Sequence, residues 1–418
     1  MLFLNKNYKF LFFSFLCLLI FYRSPYIFLN GRFIAEEGQW WFSNVFINGS
    51  LSGITYIYWG SNYFNFWANI SSVVASLFPL EYAPLGTVYM ALFVKLYLLI
   101  YILYSESNFL VKNIDKTIIS LLVILAPTMT STIWLNTLVS QIYLSIFVIL
   151  VFFQKNDSNN FFNRSSIIIL IISGMTSIIS CIFTPFFFLK YLAEKNKENF
   201  ISFLCLLIPT FIQSYIFIFS NLNDLSDQNR FLLTSEKFLN FIYNVFAKSF
   251  LGTDLTKFIY FDMFKENKFT ILIAISILLI SFIFLVFKNN FKDKILFYLI
   301  IFLLVQSILA VIAAKFDQVQ GRYAVIPSVL LLFCVYRFYQ INKNYFRYIC
   351  FSLIILSLLT GFFEYKINNN YPQLLSCLAN CPNWKDEVKK WREDNDYELR
   401  IWDYPRKKMN LNKLPKFK

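Results

Sequence analysis

Histidine is absent from this chain of 418 residues. Its absence excludes a His-dependent triad, a His-ligated metal and a His proton relay, so any proton acceptor has to be a carboxylate, a lysine or a tyrosine. Glycine is scarce: there are ten, and none forms GxGxxG or GxxxxGK[ST]. Neither a Rossmann nor a P-loop nucleotide site is expected, and no ATP hydrolysis with it. Charge is the third shortage. Only 15% of residues are charged, against 58% hydrophobic and 21% aromatic, which rules out a soluble globular protein and describes an all-α polytopic membrane protein. The formal net charge of +14 invites a nucleic-acid partner. The basic residues, however, are scattered in short loops between apolar runs, where the positive-inside rule accounts for them, so no nucleic acid is expected.

Read in order, the apolar runs give about 11 transmembrane segments. Residues 8–22 follow Lys6 and Lys9 with no small-residue cleavage site, as in an uncleaved first span with the N-terminus inside. A first outer loop, 24–83, contains a stretch, 62–78, that mixes Trp67, Val73 and Val74 with Asn65, Asn69, Ser71 and Ser72 in the manner of an interfacial helix. After a second span over 84–104, residues 117–153 are 37 uncharged residues interrupted at Pro127, enough for a tight pair of spans. Residues 165–189 are uncharged between basic clusters, which predicts a short helical hairpin broken near Thr184 and Pro185. The segment 200–220 crosses outward. The second outer loop, 221–268, carries Phe238, Phe241, Ile242, Val245 and Phe246 at amphipathic helical spacing. Four further crossings over 269–287, 295–314, 324–339 and 348–363 complete a transmembrane domain, 1–363.

The remainder, 364–418, is expected to be a small extracytoplasmic C-terminal tail, helical over 384–391 and with a short strand at 400–404. Five cysteines lie within apolar runs and read as core thiols. The other two, Cys377 and Cys381, are in the tail, where an exported compartment favours a disulfide; two free thiols are the competing reading.

Polar residues gather at the outer ends of the spans in three places: Glu36 and Glu37, the turn from Thr128 to Gln141, and the run from Lys315 to Tyr323. Paired carboxylates beside a bilayer can take a proton from a hydroxyl, hold a divalent cation, or simply form a solvated turn. A carboxylate at one end and cations at the other suit a reaction between a hydroxyl and an anionic lipid, in which arginine and lysine stabilise the phosphate that leaves. The plainer reading of Arg322 and Lys315 is that they anchor helix ends to headgroups. The glutamates have the chemistry to hold Mg2+ or Mn2+, but no further acids converge on them, and no metal or other cofactor is expected.

Phe33-Ile34-Ala35-Glu36-Glu37-Gly38 in the first outer loop, Asn136 to Gln141 opening a span, Gly321-Arg322-Tyr323 with Pro327 opening a later one, and a Trp- and Pro-rich exported tail together resemble the bacterial GT-C superfamily. These are integral membrane glycosyltransferases that use polyprenyl-phosphate-linked sugars. With the topology the resemblance covers nearly the whole chain; each motif is short, and their order is the better signal. It implies transfer of a sugar from a polyprenyl-phosphate donor to a glycan, lipid or protein acceptor on the outer face of the bacterial inner membrane, among membrane lipids, with the N-terminus cytoplasmic and the C-terminus outside.

On that resemblance Glu36 or Glu37 is the catalytic base, and Arg32, Asn136, Gln141, Lys315, Gln320, Arg322 and Tyr323 are the substrate-binding candidates. Glu37 is favoured, because Gly38 beside it leaves room for substrate. One departure is that the family often carries an arginine after the acidic pair, whereas no basic residue occurs here between Arg32 and Lys95. Contacts to the donor phosphate then fall to Arg32, Lys315 or Arg322. The rival readings are a transporter or flippase of a lipid-linked glycan, and a glycan polymerase or ligase.

Overall fold

The computed structural model describes residues 2–59, 63–128, 134–155, 161–223, 234–258, 293–314, 321–366, 383–402 and 407–413. Among them the structure is helical, apart from one two-stranded antiparallel ladder that pairs Leu399 with Met409 and Arg400 with Lys408. Five helices are long and apolar enough to cross a membrane: Leu80–Tyr104, Lys197–Ser220, Lys294–Ala313, Arg322–Ile341 and Phe346–Phe363. This is a multi-pass helical membrane protein. The expected crossing over 269–287 lies outside the described residues, as do Lys315, Gln320, Cys377 and Cys381.

The chain divides into two compact units. One comprises Met1–Ser107, Ser131–Leu225 and Ile367–Lys418; the other comprises Asn108–Thr130 and Ser226–Lys366. The uncharged run over 117–153 therefore contributes a helix to each, Asn113–Leu125 in the second and Ser140–Phe152 in the first.

In the first unit, the Phe66–Ser76 helix starts on Asn65, whose side chain accepts from the Ala68 amide at 3.1 Å. It lies against the Ala83–Tyr104 helix, which Pro84 opens. The two approach so closely that a Cβ on Gly86 would stand 2.6 Å from Ala75 Cα, the small-residue contact that membrane helices use. The stretch 62–78 was expected to be an interfacial helix, which leaves polar side chains accessible. Instead Asn69, Ser71 and Ser72 are buried; Asn69 Nδ2 donates to the carbonyls of Ile54 and Tyr56, each at 2.9 Å, and Ser71 Oγ to the Trp67 carbonyl at 2.6 Å.

The segment expected to break near Thr184 and Pro185 does break there, at Ile182 and Phe183 between the Ile178–Cys181 and Thr184–Glu194 helices, and it breaks a first time at Ser177. The Ser166–Thr176 helix stops at Ser177, which turns extended and caps a short following helix by accepting from the Ile179 amide at 3.1 Å. Pro185 opens the Thr184–Glu194 helix, a position where its missing N–H costs nothing. The carbonyls freed at the first break, Gly174 and Met175, are met by Gln213 Nε2 at 3.1 Å each, so irregular backbone is satisfied from within the protein.

In the second unit, Asp115 accepts from the Tyr336 hydroxyl at 2.7 Å, and Arg337 forks onto Asp293 at 2.6 and 3.1 Å. The amphipathic stretch folds as Ser235–Ile242 continued by a π-helix, Tyr243–Ala247. Phe241, Ile242 and Val245 are buried and Phe238 is exposed.

Candidate active site

The acidic pair follows a stretch of backbone bent at both ends. Gly31 (φ +64°) and Ala35 (φ +44°) are left-handed. Glycine adopts this freely, but a non-glycine residue there costs ~1–3 kcal/mol and persists only where its surroundings fix it. Ala35 is fixed through its amide, which donates to the Trp402 carbonyl at 3.3 Å, while the Trp402 amide donates to the Phe33 carbonyl at 3.2 Å. These bonds make a parallel bridge across Ile34. Beyond Ala35 the chain winds into a π-helix, Glu37–Phe42, a geometry frequent at functional sites.

Because of this turn the two glutamates separate. Glu37 is fully buried. Its Oε1 accepts from the Thr137 amide at 3.1 Å and the Thr137 hydroxyl at 2.5 Å, and its Oε2 accepts from the Ile34 amide at 3.3 Å. Burial raises its pKa above the usual carboxylate range, opposed by the Thr137 hydroxyl and by the charge of Arg32. Glu36 remains accessible, with Oε1 at 3.1 Å from Lys407 Nζ. Beside it, burial and then the Glu36 charge push Tyr58 up to about 12, so this phenol keeps its proton at neutral pH. The room expected next to Gly38 is not there: a Cβ would lie 2.8 Å from Phe33 Cβ, and Phe33 fills that space.

A cluster of cations adjoins the acids. Arg32 is 1% exposed and donates from Nη2 to the Trp134 carbonyl at 2.7 Å. Its guanidinium carbon stands 5.1 Å from the Trp402 ring centre. Its Nε and Nη1 have no hydrogen-bond partner among the described residues. Burial lowers the Arg32 pKa and Glu37 opposes that, but a guanidinium stays charged in proteins.

Trp134 is the hub. Lys95 Nζ lies 3.6 Å from the centre of its ring and 4.6 Å from that of Tyr143, and the Arg23 guanidinium carbon lies 4.8 Å from the Trp134 ring centre. Both cations are buried. The residue after Trp134, Leu135, is also left-handed (φ +47°), so strained non-glycine backbone occurs in both segments that meet at the Glu37–Thr137 bonds.

The other sequence candidates are placed differently. Asn136 is buried and serves its own turn, accepting from the Leu138 amide at 2.9 Å. Gln141 donates to the Tyr63 hydroxyl at 3.3 Å. Arg322 and Tyr323 belong to the second unit, where the exposed Arg322 side chain donates to the Tyr323 hydroxyl at 3.2 Å.

Sequence reasoning missed Arg23, Lys95, Trp134, Thr137 and Trp402. A signal existed for Lys95, the single charge within the 83–104 helix, since an ionisable residue inside an apolar span marks function by default. Arg23 reads as an ordinary helix-end anchor, and neither tryptophan announces a role. Among the described residues, no group of three or more acidic or cysteine side chains is arranged to hold a metal ion.

No family model matches the chain, and no curated protein matches its sequence. A solved structure that is similar to it is the crystal structure of ArnT from Cupriavidus metallidurans bound to undecaprenyl phosphate, with a TM-score of 0.43 and 11% sequence identity over 86% of this chain and 76% of that one.

Proposed function

We propose that this protein is a membrane glycosyltransferase of the GT-C type, which moves a sugar from a polyprenyl-phosphate donor to a glycan, lipid or protein acceptor on the outer face of the cytoplasmic membrane. The observation that carries the reading is the convergence of Arg23, Arg32 and Lys95 on Trp134 beside a divided pair of glutamates. Burying three cations together is costly, and an anionic ligand offsets that cost. A lipid phosphate supplies the anion, and the Arg32 nitrogens without partners supply donors to hold it.

Divided environments assign divided roles. Glu36, accessible and oriented by Lys407, takes the proton of the acceptor hydroxyl as its oxygen bonds to the anomeric carbon. The bond from that carbon to the phosphate oxygen breaks, and the charge gained by the departing polyprenyl phosphate falls to Arg32, Lys95 and Arg23. Glu37, bonded at both oxygens, anchors the turn by joining Ile34 to Thr137. No step is routed through a metal. About eleven membrane segments, an inside N-terminus and an outside tail complete the reading.

The test uses purified Glu36→Gln, Glu37→Gln and Arg32→Lys proteins with a panel of polyprenyl-phosphate-linked hexoses and pentoses. Glu36→Gln should elute as a monodisperse particle and lose ~100- to 10,000-fold in turnover, as removal of a general base does. Arg32→Lys loses the planar fork and should raise the KM for donor. Near-normal turnover of Glu36→Gln would sink the acid–base assignment and bring the transporter reading forward. Mass spectrometry of surface glycans from strains with and without the gene identifies the sugar.

A further inference from the structure

We propose that the C-terminal residues 383–402 and 407–413 complete this site, with Trp402 as the positioning residue for Arg32 and for the turn that presents Glu36. The proposal rests on the reading of the site given above, and it concerns a residue 366 positions away in sequence from Glu36.

Three contacts from this segment fall on the site itself. The Trp402 backbone brackets Ile34 through its bonds to Phe33 and Ala35, the Trp402 ring faces the Arg32 guanidinium, and Lys407 reaches Glu36. The first contact bears on strain. Ala35 is held left-handed by the Trp402 carbonyl; released from it, alanine relaxes toward ordinary backbone and swings the next residue, Glu36, away. The second bears on charge. Arg32 has one hydrogen bond through Nη2, so an aromatic face is what fixes the plane of the guanidinium while its other nitrogens stay available.

The segment is built to hold Trp402 in place. Glu387, 2% exposed, accepts from the Tyr397 hydroxyl at 2.7 Å, from the Arg400 amide at 3.0 Å and from Lys390 Nζ at 2.9 Å, tying its helix to the strand that leads to Trp402. Trp384 anchors the other end, donating from Nε1 to the Leu80 carbonyl at 2.7 Å and packing edge-on against Phe33 at 5.1 Å. Arg392 adds an ion pair to Glu81 at 2.6 Å. A tail that merely covered apolar surface would have no reason to set its aromatic face on a buried guanidinium and its backbone on a strained alanine.

The experiment compares Trp402→Leu, which fills the space without a ring, with Trp402→Phe, which keeps a face, and adds Ala35→Gly to Trp402→Leu. Amide hydrogen exchange reads the turn independently of any activity, and kinetics with the donor panel reads the site. Leucine keeps the backbone N–H and C=O of the bridge but removes the ring that seats position 402 on Arg32. With that seat gone the bridge should open more often, so the Ala35 amide should exchange at least ~10-fold faster, and kcat should fall ~10- to 100-fold, the cost of a catalytic group displaced by about 1 Å. Trp402→Phe should stay within about threefold of wild type, since the aromatic face remains. Ala35→Gly should recover part of the lost kcat, because glycine takes the left-handed turn without the bridge; a purely structural tail predicts no such recovery. Unchanged exchange at Ala35, turnover of Trp402→Leu within about twofold of wild type, or equal losses in the Leu and Phe variants would each overturn the proposal. If exchange accelerates but the wild-type protein transfers no sugar from any donor, the proposed function falls while the positioning of the turn stands.

Discussion

Glu36 and Glu37 are chemically identical neighbours, and what distinguishes them is a single left-handed alanine and the π-helix after it. One carboxylate is left at the surface with Lys407, and the other is sealed beneath Thr137. Burial of Glu37 has a measurable consequence. Its folded-state pKa is raised above the unfolded value, so the folded chain binds more protons than the unfolded chain at pH values between the two. The stability linked to Glu37 is therefore present below the ordinary carboxylate range and is lost as pH rises through the raised folded value. Thermal unfolding of the purified protein should show that loss, and Glu37→Gln, which cannot ionise, should flatten it. A pH dependence identical in the two proteins would contradict the burial.

Among elements, the broken helix at 166–181 shows how irregular backbone survives among apolar helices. Gln213, fully buried, inserts Nε2 against the carbonyls of Gly174 and Met175 at 3.1 Å and of Phe64 at 2.9 Å, and its Oε1 accepts from the Phe64 amide at 3.0 Å. One side chain thus joins the 166–176 and 197–223 helices to the segment that leads into the 66–76 helix. Gln213→Leu keeps the volume and removes every one of these bonds, leaving buried carbonyls unsatisfied at ~1–3 kcal/mol each. Its unfolding midpoint in detergent should drop by several degrees, roughly as that loss dictates for a chain of this size. An unchanged midpoint would mean that other groups meet the break. Of the two breaks in this segment, the one before Thr184 and Pro185 was legible, because proline begins a helix, whereas the one at Ser177 was not, because a lone serine is a weak cap signal.

For the molecule as a whole, eleven expected segments compare with five helices of spanning length among the described residues. The Asn113–Leu125 and Ser140–Phe152 helices have 13 residues each, about 20 Å at 1.5 Å per residue, short of a ~30 Å hydrocarbon core. The arrangement proposed above, with the 221–268 loop and the tail outside, rests on the parity of the basic loops. Alkaline phosphatase fused after Asp254 and after Lys418 should be active, and an inactive fusion at either point would break the topology. The same compartment favours a Cys377–Cys381 disulfide, and non-reducing peptide mapping that finds both thiols alkylatable without reductant would exclude it.

Composition alone determined that this is a helical membrane protein without histidine chemistry or a nucleotide loop, because those conclusions depend on residue type and run length and not on where the chain folds. The sequence also marked Glu36, Glu37 and Arg32, since ionisable residues next to a span are few. In the tail, 384–391 lies within the Trp384–Glu393 helix, while the strand expected at 400–404 forms at Leu399–Arg400, with 403–404 outside the described residues. Only the tertiary structure decided which glutamate is accessible, and that Arg23, Arg32 and Lys95 share Trp134 as a hub. It alone placed Trp402 under Arg32 and across Ile34. Local spacing cannot report these contacts, because they join residues tens to hundreds of positions apart, and the charges involved are buried only after the helices that carry them have packed.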